Sequence, residues 1–136
     1  MSYQDLPPNV RDLSLFDHPE LAEDLVDLFI PSCDRRAGCL LFVICDPDGR
    51  ADHPVLIEGT PPRPTYEDAV GVLRVLEVFG GLPYLLALGT PGRPGDAEFL
   101  DLLSGEADRR ATGPRLGSYL AYASGAVHEL PERLAA

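Results

Sequence analysis

The residues of this chain that could do chemistry are three cysteines, three histidines, two serines near the C-terminal end and one glycine-rich loop. Cys33, Cys39 and Cys45 stand six residues apart, a spacing that suggests a ligand series until strand geometry is applied. Cys39 and Cys45 fall on one face of a single apolar strand, about 20 Å apart at ~3.3 Å per residue, too far to share a metal ion or a disulfide. Buried strand thiols of this kind act as small hydrophobes. Cys33 sits in Ser-Cys-Asp-Arg-Arg, where two cations could activate a thiol; an inert loop cysteine is the other reading. His18, His53 and His128 lie at a helix start, a strand edge and the last strand, with no His-x-x-x-His or Cys-x-x-Cys spacing. His128 and Glu129 point to opposite faces of a strand and cannot form an acid/base pair. Ser118 and Ser124 have no nucleophile elbow and no base beside them.

The segment Gly89-Thr-Pro-Gly-Arg-Pro-Gly95 joins a buried strand to a helix N-terminus, a place where backbone N–H groups can hold an anion. Its candidate ligand-binding residues are Gly89, Thr90, Gly92 and Arg93, with Asp101 on the helix that follows. Against that reading, Pro91 and Pro94 each lack a donor, and Asp96 places a carboxylate where the anion would sit. The competing assignment is a plain surface loop. A second candidate surface is acidic: Glu20, Glu23, Asp24 and Asp27 gather on one side of the first helix. Such a face is either simply solvated or docks a basic protein partner.

These groups are positioned by a regular succession of elements. Residues 1–16 lack period and read as a loosely packed or fraying arm; residues 17–136 read as one domain. Asp17 and Glu20 have capping-box spacing and Pro19 fits a first turn, so a helix is expected from Asp17 to near Pro31, with Leu21, Leu25, Leu28 and Phe29 as its apolar face. Cys39 to Cys45 is apolar on both pleat faces, as a central strand covered on both sides must be. Asp46-Pro-Asp-Gly49 supplies a turn, because proline presets φ and glycine accepts φ > 0. The strand Pro54 to Glu58 follows it. Thr65 with Asp68 caps a helix whose inner face is Ala69, Val72, Leu73, Leu76 and Phe79, ending at Gly80-Gly81. Leu82 to Leu88 is a strand, Asp96 begins a helix with Phe99, Leu100, Leu103 and Ala107 on one side, and Arg115 to Ala123 pairs with Ala126 to Leu130 as a hairpin. The fold class is therefore α/β: one three-layer domain, ordered α-β-β-α-β-α-β-β, with helices packed on a mixed sheet.

Composition narrows the function classes. A chain of 136 residues with 45% hydrophobic content has enough core to fold without staples. Its 22 acidic against 11 basic residues give a formal charge of -11, which repels nucleic-acid backbones and anionic lipid. Lysine is absent and every cation other than histidine is arginine, which removes Schiff-base and Walker-type lysine mechanisms. The N-terminus lacks the pattern of a secretory signal, no apolar run approaches the roughly 20 residues of a membrane span, and the odd cysteine count fits a reducing compartment. The expected location is the cytoplasm. Val70 and Val78 on the charged side of the second predicted helix, and an edge at Pro54–Glu58, are the features that suggest a homodimer.

The element order, with the strand through Tyr84–Leu88 entering the Thr90-Pro91 turn, resembles the JAB/MPN domain of RadC-type proteins and deubiquitinase-like metalloproteases, over about residues 20–131. The resemblance places the histidines of that family's His-x-His-Pro zinc motif at Leu88 and Thr90, and its aspartate ligand, eleven residues after the second histidine, at Asp101. The family's acidic catalytic residue is also missing from positions 36–38. One ligand position of three cannot hold zinc, so the resemblance implies a scaffold that has lost its chemistry. The leading expectation is a non-catalytic interaction or regulatory module with no metal and no cofactor. The alternative is a small enzyme or anionic-ligand-binding domain that uses the Gly89–Gly95 loop.

Overall fold

The computed structural model describes residues 13–61, 65–110 and 113–131. Its elements are α1 (Leu21–Phe29), α2 (Ser32–Ala37), β1 (Cys39–Cys45), β2 (Ala51–Glu58), α3 (Tyr66–Val78), β3 (Tyr84–Thr90), α4 (Asp96–Arg110), β4 (Arg115–Tyr122) and β5 (Val127–Glu129). The five strands form one mixed sheet in the order β2-β1-β3-β4-β5, in which only β3 and β4 run parallel. That parallel step requires a crossover, which α4 provides. Hairpins, by contrast, join β1 to β2 and β4 to β5.

The period of two in the central strands sorts their side chains into two cores. On one face Leu40, Phe42 and Ile44 of β1 and Leu86 and Leu88 of β3 meet Leu73 and Leu76 of α3 and Phe99, Leu100 and Leu103 of α4. On the other face Cys39, Leu41, Val43 and Cys45, with Leu85, Ala87 and Tyr119, are covered by Ala22, Leu25 and Val26 of α1 and by Leu15 and Ile30. Every residue of β1 and β3 is buried. The architecture is thus the expected three-layer α/β sandwich.

Local chemistry explains the boundaries. In α3 the Thr65 hydroxyl accepts the Asp68 amide at 3.2 Å while the Asp68 carboxylate accepts the Thr65 amide at 2.7 Å, a complete capping box. The corresponding expectation for α1 fails: the helix begins at Leu21, Glu20 is its N-cap residue, and among the described residues no side chain caps it. The amides of Asp17 and His18 go instead to the Ser14 carbonyl, so these residues form a separate turn. Residues 13–16 of the predicted arm are tied down, since the Leu15 amide donates to Gly49 O at 2.9 Å and Leu15 is buried. The rest of that arm, 1–12, lies outside the described residues.

Ser32–Ala37, expected as a loop, is a short helix pinned by Arg35. β2 extends back to Ala51 with a register shift opposite Ile44 and Cys45. Its central Pro54 has no N–H, which interrupts the donor row along this sheet edge. On α3, Val78 is 79% exposed and Val70 is half-buried. Among the described residues, no helix is long and apolar enough to cross a membrane.

Candidate functional site

The strand before the glycine-rich loop runs two residues further than its sequence suggests. Thr90 pairs with Tyr122 in the parallel ladder, and the Ala123 amide donates to Thr90 O at 3.0 Å, so Gly89 and Thr90 belong to β3. Gly89 is a packing residue: a Cβ there would lie 2.5 Å from Cys39 Sγ and 3.1 Å from Ile30. Its lack of a side chain lets α2 sit directly on the strand.

Beyond Thr90, the loop consumes its own polar groups. The Thr90 hydroxyl donates to Asp96 Oδ2 at 2.8 Å, the Arg93 amide donates to the same oxygen at 2.7 Å, and the Gly92 amide donates to Thr90 Oγ1 at 3.1 Å. Asp96 therefore occupies the position of the expected anion, as a carboxylate at the start of α4. The Arg93 guanidinium turns away, donating to Thr60 O at 3.3 Å and to Ala37 O at 3.1 Å, and so ties the loop to the ends of α2 and β2. The positions that the JAB/MPN resemblance assigns to zinc are likewise engaged. Leu88 is buried in the α3/α4 core, Thr90 serves Asp96, and Asp101 lies along α4 in a different cleft.

That cleft, of about 500 Å³, separates α4 from the end of the β4–β5 hairpin and is lined among others by Glu98, Asp101, Leu102, Asp108, Arg115 and Leu130. A shallower hollow at Gly92, Arg93 and Tyr122 has Glu98 as a common lining residue with it. Below the cleft lies a hydrogen-bonded chain with a fixed direction. Arg115 grips Asp108 through two bonds of 3.0 and 2.9 Å and donates to Ser118 Oγ at 2.9 Å. Ser118 lies 2.6 Å from Ser104, whose only proton goes to Leu100 O at 2.7 Å. Ser118 must then donate to Ser104 and accept from Arg115. A serine facing a cation, with its proton committed to a second hydroxyl, has no base to activate it. Nearby, burial pushes the Tyr84 hydroxyl up to about 12, with Asp108 acting in the same direction.

On the opposite face, the acidic helix is split by structure. Glu20 and Glu23 are exposed and Asp24 is half-buried. Asp27 turns inward to Arg35, whose side chain is only 4% exposed, with Nη2 to Asp27 Oδ1 at 2.8 Å. Arg35 also donates to Ile30 O at 3.0 Å, Asp27 O at 3.1 Å and Tyr122 O at 3.3 Å. Burial acts to raise the Asp27 carboxyl, but the Arg35 guanidinium holds it below its ordinary value. Asp27 is therefore an anchor and leaves the predicted docking face to Glu20, Glu23 and Asp24. Nothing in the sequence except an arginine eight residues after an aspartate signalled the pair.

α1 lies against β5, the last strand of the sheet. Leu130 donates its amide to Ser118 O at 2.7 Å and Tyr122 donates to Ala126 O at 2.8 Å, so the even-numbered residues of this hairpin face one another. Val127 and Glu129 consequently turn their N–H and C=O groups outward. The Tyr119 hydroxyl donates to Glu129 at 3.2 Å, and burial together with the charges of Glu129 and Glu23 pushes it well above its ordinary range. Glu23 of the acidic face on α1, and Asp101 of α4, which the sequence singled out with the ligand loop, thus flank the β5 end of the sheet.

The remaining candidates stay apart. Cys39 and Cys45 are buried, and burial pushes their thiols up to about 11 and about 12 respectively, while Cys33 is exposed. His53 packs on Phe79 with centroids 5.2 Å apart, His128 meets Tyr122 at 5.8 Å, and His18 contacts Glu20. Among the described residues no cluster of three or more His, Cys, Asp or Glu is placed to hold a metal ion. No known protein family, curated protein or solved structure matches this chain.

Proposed function

We propose that this chain is a non-catalytic protein-interaction module, on a scaffold resembling a JAB/MPN domain that has lost its metal chemistry. The observation that carries the reading is the closed β3–α4 junction. The Asp96 carboxylate takes both the Thr90 hydroxyl and the Arg93 amide, and the Arg93 side chain is spent on two backbone carbonyls. A junction satisfied internally gains little from an anion, because binding would first have to break charge-assisted bonds. The acidic surface then favours a basic protein partner in the cytoplasm, and Val78 on α3 offers a place for self-association that light scattering would test.

The test is calorimetry and elemental analysis of untagged protein with zinc and with inorganic phosphate. Far less than one zinc per chain and no saturable phosphate heat are expected. The alternative, a small enzyme or anionic-ligand domain, would displace this reading if phosphate bound stoichiometrically and binding vanished in Arg93→Ala. Stoichiometric zinc lost in Asp101→Ala would displace it equally.

A further inference from the structure

We propose that the outer edge of β5 receives an extended, arginine- or lysine-bearing segment of a partner protein, which adds a strand to the sheet. The inference rests on the interaction reading above and names the partner's chemistry. Three independent features meet there. The first is the backbone: the outward N–H and C=O groups of Val127 and Glu129 offer a short ladder at the edge of the sheet, and Pro131, which has no N–H, ends it. A two-residue ladder is too short to promote indiscriminate pairing, so side chains must supply the selectivity.

The second feature is the cleft between α4 and the hairpin. Within a strand added at β5, alternate residues face the α4 side, as His128 and Leu130 do. α4 lies over β3 and β4, not over the edge. A new strand about 4.8 Å beyond β5 therefore stands well to the side of a helix layer about 10 Å above the sheet. Short side chains cannot reach across that gap. Arginine and lysine can, laying their methylenes on Leu102 and Leu130 and bringing their cations to Glu98, in a cleft of about 500 Å³.

The third feature is the sign of the charge on both sides of the edge. On the α1 side stand Glu20, Glu23 and Glu129, and on the α4 side the exposed Glu98, while Arg115 and Arg109 of the cleft pair with Asp108 and Glu106. An acidic or neutral strand would gain the same backbone bonds and lose the electrostatic complement.

The probe is a labelled nonapeptide of alternating Arg and Val, followed by fluorescence anisotropy, with a Glu/Val peptide and an Arg/Val peptide N-methylated at alternate residues on the pairing edge as controls. Saturable binding is expected for the first, weakened about tenfold or more by N-methylation and falling with salt. In the Glu98→Arg variant, an exposed position, binding should also fall several-fold. Equal binding of the acidic or the N-methylated peptide overturns the proposal, as does no binding of any of them. Failure of the β5 site and failure of the interaction function give different results. Cross-links from a native partner that map to β2 or α3 would retain the interaction reading and discard the β5 site, whereas a stoichiometric small molecule held at Gly92–Arg93 would discard both.

Discussion

Replacing Arg35 by methionine should be among the most damaging substitutions in this chain. Methionine preserves much of the stem's packing and removes four donated hydrogen bonds, to Ile30 O, Tyr122 O, Asp27 O and Asp27 Oδ1. Bonds from a charged donor contribute about 1.5–3 kcal/mol each, but water can reach part of what is exposed, since Asp27 is 24% exposed in its side chain. The expected loss is therefore about 3–4 kcal/mol, the lower part of the range for breaking a buried ion pair. For a domain of this length that lowers Tm by about 10–15 °C. The pH dependence gives the sign. With Arg35 present the Asp27 carboxyl is held below its ordinary value, so its contribution is complete above the unfolded value of about 3.9 and disappears as pH falls through the lower folded value. In Arg35→Met the guanidinium no longer opposes the effect of burial on Asp27, and protonating the carboxyl relieves the variant. The gap between variant and wild type should therefore be widest near pH 7 and narrow towards pH 4. Thermal melts by circular dichroism across that range are the assay. A Tm within about 3 °C of wild type, or a gap that does not change with pH, would refute the reasoning.

At the β3–α4 junction, Asp96→Ala should cost about 1–2 kcal/mol, as loss of a helix-start carboxylate does, read by urea denaturation. Gly89→Ala forces a Cβ against Cys39 Sγ and should cost about 1–3 kcal/mol; the double variant with Cys39→Ala should recover part of it. In native protein at pH 8 a maleimide should label Cys33 quickly and leave Cys39 and Cys45 unmodified, because burial holds their thiols near about 11 and about 12. Rapid modification of either would show that β1 opens. Ser118→Ala should alter stability and leave the peptide affinity at β5 unchanged, which anisotropy would read directly.

Where local chemistry dictated an element, the sequence was legible. The Thr65/Asp68 box, the two all-apolar strands and the Asp46–Gly49 turn are short-range features, and each is found in the structure. The helical stripe of α4 was also legible, and Ser104 could have been found on it, four residues after Leu100. What failed depended on contacts distant in sequence. Asp17 loses its capping role to a turn at Ser14. α2 forms because Arg35 reaches Asp27, Ile30 and Tyr122, the last 87 residues away. The candidate site divided in the same way. Gly89, Thr90 and Arg93 have the composition of an anion loop, but Asp96, Ala37 and Thr60 satisfy it from within. Asp101 and Glu23 were singled out for unrelated reasons, and only the sheet order brings their elements to the two sides of β5.

The interaction reading and its β5 site are tested together by residue-resolved amide exchange on the free chain and on the complex isolated with its native partner. Val127 and Glu129, whose amides face outward, should exchange rapidly when free and become protected in the complex, while Gly92 and Arg93 should be protected in both because Thr90 and Asp96 already hold them. Unchanged exchange at Val127 and Glu129, with new protection appearing only at the Gly92–Gly95 loop, would contradict it.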